Sequence, residues 1–134
     1  MTVARGGLEP YGALVLRLVL GSIYIAHAYL ALVVMGPAKY IEYERSLHIP
    51  MPEIGFWYVI VAHGLGGIML ILGITVRWAA LANIPVMAGA LWYVHLQEGF
   101  FIWGSKYGYE YVLVLLGATI AQALLGAGAF TLKK

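Results

Sequence analysis

Residues Tyr11–Met35 read YGALVLRLVLGSIYIAHAYLALVVM, and this stretch decides the class of the protein. An α-helix needs about 20 apolar residues to cross a bilayer, and this run of about 25 contains a single arginine, Arg17. Three further apolar stretches follow at Ile54–Thr75, Trp78–Gln97 and Tyr109–Phe130. The pattern predicts an all-α membrane protein, a four-transmembrane-helix bundle with short loops forming one domain over residues 1–134. The small-x-small triplet Ala26-His27-Ala28 imitates a signal-peptidase site, but apolar residues continue through Met35. A usual signal core is only ~7–15 residues long, so the stretch reads as a retained first span.

Composition agrees. Hydrophobic residues make up 63% of the chain and charged residues 10%, whereas soluble domains carry about 25% charged residues. The net charge of +2, with no Lys/Arg cluster, argues against a nucleic-acid partner. The absence of cysteine excludes disulfide exchange, thiolate ligation and covalent haem attachment. The expected surroundings are the lipids of the cell's inner (cytoplasmic) membrane. Arg5, Arg77, Lys133 and Lys134 fall on one side of an even-span bundle, against Lys39, Arg45 and Lys106 on the other. The positive-inside rule therefore predicts cytoplasmic termini.

Helix punctuation fits these spans. Pro10 suits a first helical turn, Gly36-Pro37 ends span one, and a short interfacial helix is expected over Lys39–Leu47. Ile49-Pro50-Met51-Pro52 is too proline-dense for a helix, and Pro85 predicts a kink in span three. The aromatic loop Gly99–Gly108 is expected to dip into the membrane interface.

The chemistry-bearing residues share a level. At 1.5 Å per residue, His27 lies ~24 Å beyond Tyr11 and His63 ~14 Å back from Ile54. His95 ends span three and Glu110 begins span four, so all four are expected in the outer half. His63 shares a stripe with Gly66, Gly67 and Leu70, whose small residues favour close helix approach. Glu110 aligns with Val114, Gly117, Ala121 and Gly128, an expected inward face. Arg17, Gly21 and Tyr24 share a third face, with His27 about 80° away. Ionisable groups at membrane depth mark functional sites, yet plainer roles stand beside this reading. His27 and His63 also suit interhelical hydrogen bonding, His95 an interfacial position, Arg17 snorkelling to the headgroups and Glu110 a helix-start acid.

Taken in order, several pieces resemble the DoxX family of small four-span membrane proteins. They are Arg17-Leu18-Val19-Leu20-Gly21, His27, Ile49-Pro50-Met51-Pro52, the Gly66–Arg77 run GGIMLILGITVR, Met87, His95, Gly99-Phe100-Phe101, Tyr109-Glu110-Tyr111 and Gly126-Ala127-Gly128. The resemblance implies a four-helix bundle and site interest at Arg17, His27, Arg77, His95 and Glu110. Some members look like the membrane subunit of thiosulfate:quinone oxidoreductase. The chain departs from the family in having His63 where an acid is usual, and no lysine shortly after His27.

Three functions follow as expectations. The first is a subunit of a quinone-dependent oxidoreductase, with His27, His63, His95 and Glu110 handling protons and hydrogen bonds. Arg17, Tyr24, Trp92 and Tyr93 would contact the quinone, and a protein partner would supply electrons. The second is a histidine-ligated metal or b-type haem, since imidazole suits both. The third is a non-catalytic accessory subunit of a larger membrane complex.

Overall fold

The computed structural model describes residues 7–133, so Arg5 and Lys134, used above for orientation, lie outside the described residues. The chain is mostly helical. Helix α1 runs Glu9–Met35, α2 Pro37–Ser46, α3 Pro52–Leu72, α4 Val76–Glu98 and α5 Glu110–Leu125. A small antiparallel hairpin, β1 (Ile102–Trp103) and β2 (Lys106–Tyr107), separates α4 from α5. By length and hydropathy α1, α3 and α4 can each cross a membrane, while α5 is apolar but shorter, at 16 residues.

Prolines open α1, α2 and α3 in their first turns, where no helical hydrogen bond is lost. Helix α4 runs through Pro85, and in the same turn the Tyr58 hydroxyl donates to the Ala82 carbonyl at 2.7 Å. Each of the three long helices contains one π-helical segment, at Leu30–Met35, Ile60–Leu65 and Ala90–His95.

Small residues let α1 and α3 touch backbone to backbone. A Cβ on Gly67 would fall 2.8 Å from the Ile25 side chain and 3.0 Å from the Gly21 carbonyl. The expected stripe His63, Gly66, Gly67 and Leu70 is buried throughout. Leu20, Tyr24, Leu70, Val76, Ala79, Ala80, Met87, Val112 and Leu115 make one apolar core. Within or beside it lie Arg17, His63, Asn83, Thr119 and Gln122, while Val19, Trp57, Val61, Ile68 and Leu124 face outward. Polar side chains inside and apolar ones outside suit a hydrocarbon solvent, in which polar groups must find partners within the protein.

Two expectations about span four are corrected. The helix stops at Leu125, because Gly126 adopts φ +81° and breaks it, and residues 126–133 continue without helix. The inward face is Val112, Leu115, Thr119 and Gln122. Val114, expected inside, is 67% exposed, and nothing packs within 4 Å of a Cβ on Gly117. Burying two polar side chains where partners exist outweighs packing small residues.

The segment after α5 folds back between the start of α1 and the end of α3. The Ala129 amide donates to Pro10, and Leu132 and Lys133 amides donate to Leu72 and Gly73. Gly128 fits there because a Cβ would fall 2.3 Å from the Pro10 carbonyl.

Candidate functional site

The three membrane histidines line one cavity of about 380 Å³ at the α2 end of the bundle. Leu30 and Met35 of α1, Val86, Met87 and Val94 of α4, and Val112 and Leu115 of α5 supply its apolar walls. Its volume lies within the roughly 300–1,000 Å³ of ordinary small-molecule sites.

His63 sits deepest and its orientation is fixed from two sides. The Tyr24 ring stacks on it at a centroid distance of 4.6 Å and an interplanar angle of 19°. Its Nδ1 lies 2.6 Å from Asn83 Oδ1. Asn83 spends both amide hydrogens on the carbonyls of Ala62 and Ala79, at 2.7 and 2.9 Å. The amide therefore turns its oxygen to His63, and only an Nδ1–H can donate to that oxygen. Neutral His63 is thereby held as the tautomer whose Nε2 carries a free lone pair.

His27 approaches His63 edge-on, with ring centroids 6.3 Å apart, and stays exposed on the open side of the cavity. His95 Nδ1 lies 2.7 Å from the Tyr107 carbonyl. A carbonyl only accepts, so His95 also donates through Nδ1 and leaves Nε2 free. The same bond pins the hairpin beside the cavity.

Four proposed site residues stand elsewhere. Glu110 does not line the cavity; its Oε1 accepts the Ile102 amide at 2.8 Å and holds the hairpin to the start of α5. A carboxylate in a helix's first turn reaches unpaired amides beside it more readily than a core. Trp92 is 66% exposed and faces outward from α4. Tyr93 lines a neighbouring cavity.

Arg17 neither snorkels nor reaches the cavity. It is 1% exposed, and its Nε donates to Ala127 O at 3.0 Å. Its Nη1 donates to Leu70 and Ile71, at 2.8 and 2.5 Å, and its Nη2 to Ala129 and Phe130, at 2.9 and 2.5 Å. The guanidinium meets irregular backbone that needs donors, which outweighs the headgroups' attraction. Tyr24 does border the cavity with its ring, but its hydroxyl turns to Thr119.

Four further residues belong to the site: Tyr40 and Tyr111 line the cavity, Glu44 lines its neighbour and Asn83 braces His63. Asn83 carried a signal, being the chain's lone asparagine and set well inside span three. It lies nine residues after the turn at Ile74, and His63 eleven before, which sets the two side by side on antiparallel helices. Among the described residues no three His, Asp or Glu side chains converge closely enough to hold a metal ion.

The profile of the DoxX family matches residues 12–96. The chain belongs to the DoxX family. No curated protein and no solved structure matches it. The region shared with DoxX carries Arg17, His27, His63, Asn83 and His95, so the three cavity histidines of this DoxX protein all lie within it. The hairpin, Glu110 and α5 lie beyond it.

Proposed function

We propose that this DoxX protein is the membrane subunit of a quinone-linked redox complex and that the histidine cavity holds the quinone headgroup. In this reading the chain crosses the cytoplasmic membrane four times, with both termini inside and the cavity in the outer half. Helix α5 covers ~24 Å at 1.5 Å per residue, and residues 126–130 complete the crossing as irregular backbone. Such backbone is tolerated at depth only when protein satisfies it, which is what Arg17 does for Ala127, Ala129 and Phe130.

The observation that carries the reading is the convergence of His27, His63 and His95 on one apolar cavity, with His63 locked by Asn83. A quinone takes two electrons and two protons to become a quinol. The electrons come from a partner redox protein and the protons pass through the imidazoles, whose ring nitrogens can each give or take one. For a quinol, the free Nε2 of His63 accepts the hydroxyl proton; for a quinone, protonated Nε2 donates to the carbonyl.

The test is equilibrium binding of a short-chain ubiquinone and a short-chain menaquinone to the full chain in nanodiscs. Binding is expected, with His63→Ala weakening it roughly 10- to 100-fold through loss of a buried hydrogen bond. No saturable binding of either quinone would sink the proposal. An accessory role is the second reading, supported by the outward Gly117, where a partner helix can approach the backbone closely beside exposed Val114.

A further inference from the structure

A second cavity of about 190 Å³ adjoins the first, and Tyr40, Tyr43, Val59, Val86, Ala90 and Val94 line both. It contains one carboxyl group, that of Glu44. Although α2 lies outside the long helices and its Glu42 and Arg45 are exposed, Glu44 is only 5% exposed. Its Oε2 is buried without a hydrogen-bond partner and lies 3.2 Å from where a Cβ on Gly55 would stand. Glycine at 55 thus makes the room the carboxyl occupies.

No cation in the described chain compensates this oxygen. Arg45 is committed at the surface to Glu42 and Glu53, at 2.8 and 2.5 Å. A buried, unpaired carboxylate is costly and tends to take up a proton instead. Burial first, and the negative charge of Glu53 second, push the Glu44 carboxyl up to about 7. Near neutrality it is therefore both a usable acid and a usable base.

The facing groups fit a relay. On α2 these are Tyr40 and Tyr43; burial pushes Tyr40 up to about 12, so it stays a protonated hydroxyl. Helix α3 presents Glu53 and Tyr58, the latter's hydroxyl already donated to Ala82, and α4 presents Tyr93. Across the shared tyrosine wall lie His27, His63 and His95.

We propose that Glu44 is the group through which the histidine cavity exchanges protons with water on the α2 side of the membrane. Protonated Glu44 loses its proton across the Tyr40–Tyr43 wall to an imidazole Nε2, becomes a carboxylate, and is reprotonated from that water. No electron moves and no other bond changes. The purpose of the exchange rests on the quinone reading, but its test needs no quinone.

The full chain, ¹⁵N-labelled at histidine and held in nanodiscs, is transferred to D₂O while NMR follows exchange of the imidazole N–H protons of His63, the buried histidine of the three. Infrared titration of the carboxylic C=O band runs in parallel. Glu44→Gln should remove a band titrating near pH 7 and slow histidine exchange roughly 100-fold, the low end for a positioned acid–base group. Glu42→Gln, at the exposed surface, should change neither. Unchanged histidine exchange in folded Glu44→Gln, or no carboxyl titrating between about pH 5 and 9, overturns the proposal. If Glu44→Gln does not fold, Glu44→Asp must keep a titrating band and measurable exchange; loss of either in folded protein also overturns it. Failure of wild-type protein to bind quinone with these results intact would defeat only the quinone reading.

Discussion

Replacing Arg17 by methionine, of similar length, removes a buried guanidinium that donates to five backbone carbonyls, and it strands four of them, those of Ile71, Ala127, Ala129 and Phe130. Ile71 belongs to the last turn of α3, where carbonyls lack helical donors, whereas the Leu70 carbonyl also accepts the Gly73 amide at 3.3 Å. Each hydrogen bond to a charged group contributes about 1.5–3 kcal/mol, but summing five overcounts because bonds made by one group are not additive. A stranded buried carbonyl costs about 1–3 kcal/mol before the chain relaxes or water enters, so a net loss of roughly 3–5 kcal/mol is expected. The loss should be local first. Amides that tie the closing segment down, Ala129 to Pro10, Leu132 to Leu72 and Thr75 to Lys133, should lose hydrogen-exchange protection. Detergent-titration unfolding measures the free energy and residue-resolved exchange locates it. Arg17→Lys keeps the charge but not the planar fork, so it should recover about half. If Arg17→Met unfolds within about 0.5 kcal/mol of wild type, the ordinary surface range, and keeps those amides protected, the guanidinium is not what closes the bundle.

Gly67→Ala should cost about 1–3 kcal/mol through overpacking against Ile25 and Gly21, whereas Gly117→Ala, with nothing within 4 Å, should be neutral; paired unfolding titrations compare them. Asn83→Ala should release His63 from its Nδ1–H tautomer, read as a change in the two imidazole ¹⁵N shifts; unchanged shifts would mean that Asn83 does not set it. Folding raises the Glu44 carboxyl from 4.5 to about 7, so the folded state binds that proton more tightly. Its contribution to stability is fullest below about pH 4.5, falls as pH rises toward about 7 and is flat above, a change on the order of 1–3 kcal/mol that Glu44→Gln should abolish in unfolding curves across pH.

The apolar runs were legible because hydrocarbon selects them by length, and the histidines' common level followed from helix rise and alternating direction alone. What failed was anything decided by backbone partners far away in sequence. Arg17 looks like a snorkelling residue until the carbonyls of residues 127–130 come into range. Glu44 reads as one more charge on an amphipathic helix beside Glu42 and Arg45; only the gap at Gly55 reveals its burial. The small-residue rule misplaced the α5 face because Thr119 and Gln122 are its two deeply buried polar groups. The hairpin did have a signature, Gly104-Ser105 between Ile102-Trp103 and Lys106-Tyr107, with Gly104 at φ +61° where a tight turn requires it.

The π-helical segments bind these observations together. Each of α1, α3 and α4 has one, and each supplies cavity wall: Leu30 and Met35 from the first, His63 from the second, Ala90, Val94 and His95 from the third. A π turn is rare and weaker than an α turn, and it persists mainly where it re-aims side chains for function. Helix α5 has none and gives the cavity no imidazole, only Tyr111, Val112 and Leu115. Had the histidines been interhelical glue alone, ordinary α-turns with small neighbours would have brought them together, as Gly21 and Gly67 do lower in the bundle. Three irregular turns around one cavity point instead to the cavity's shape as the feature being maintained, with Asn83 and Tyr24 holding His63 toward it.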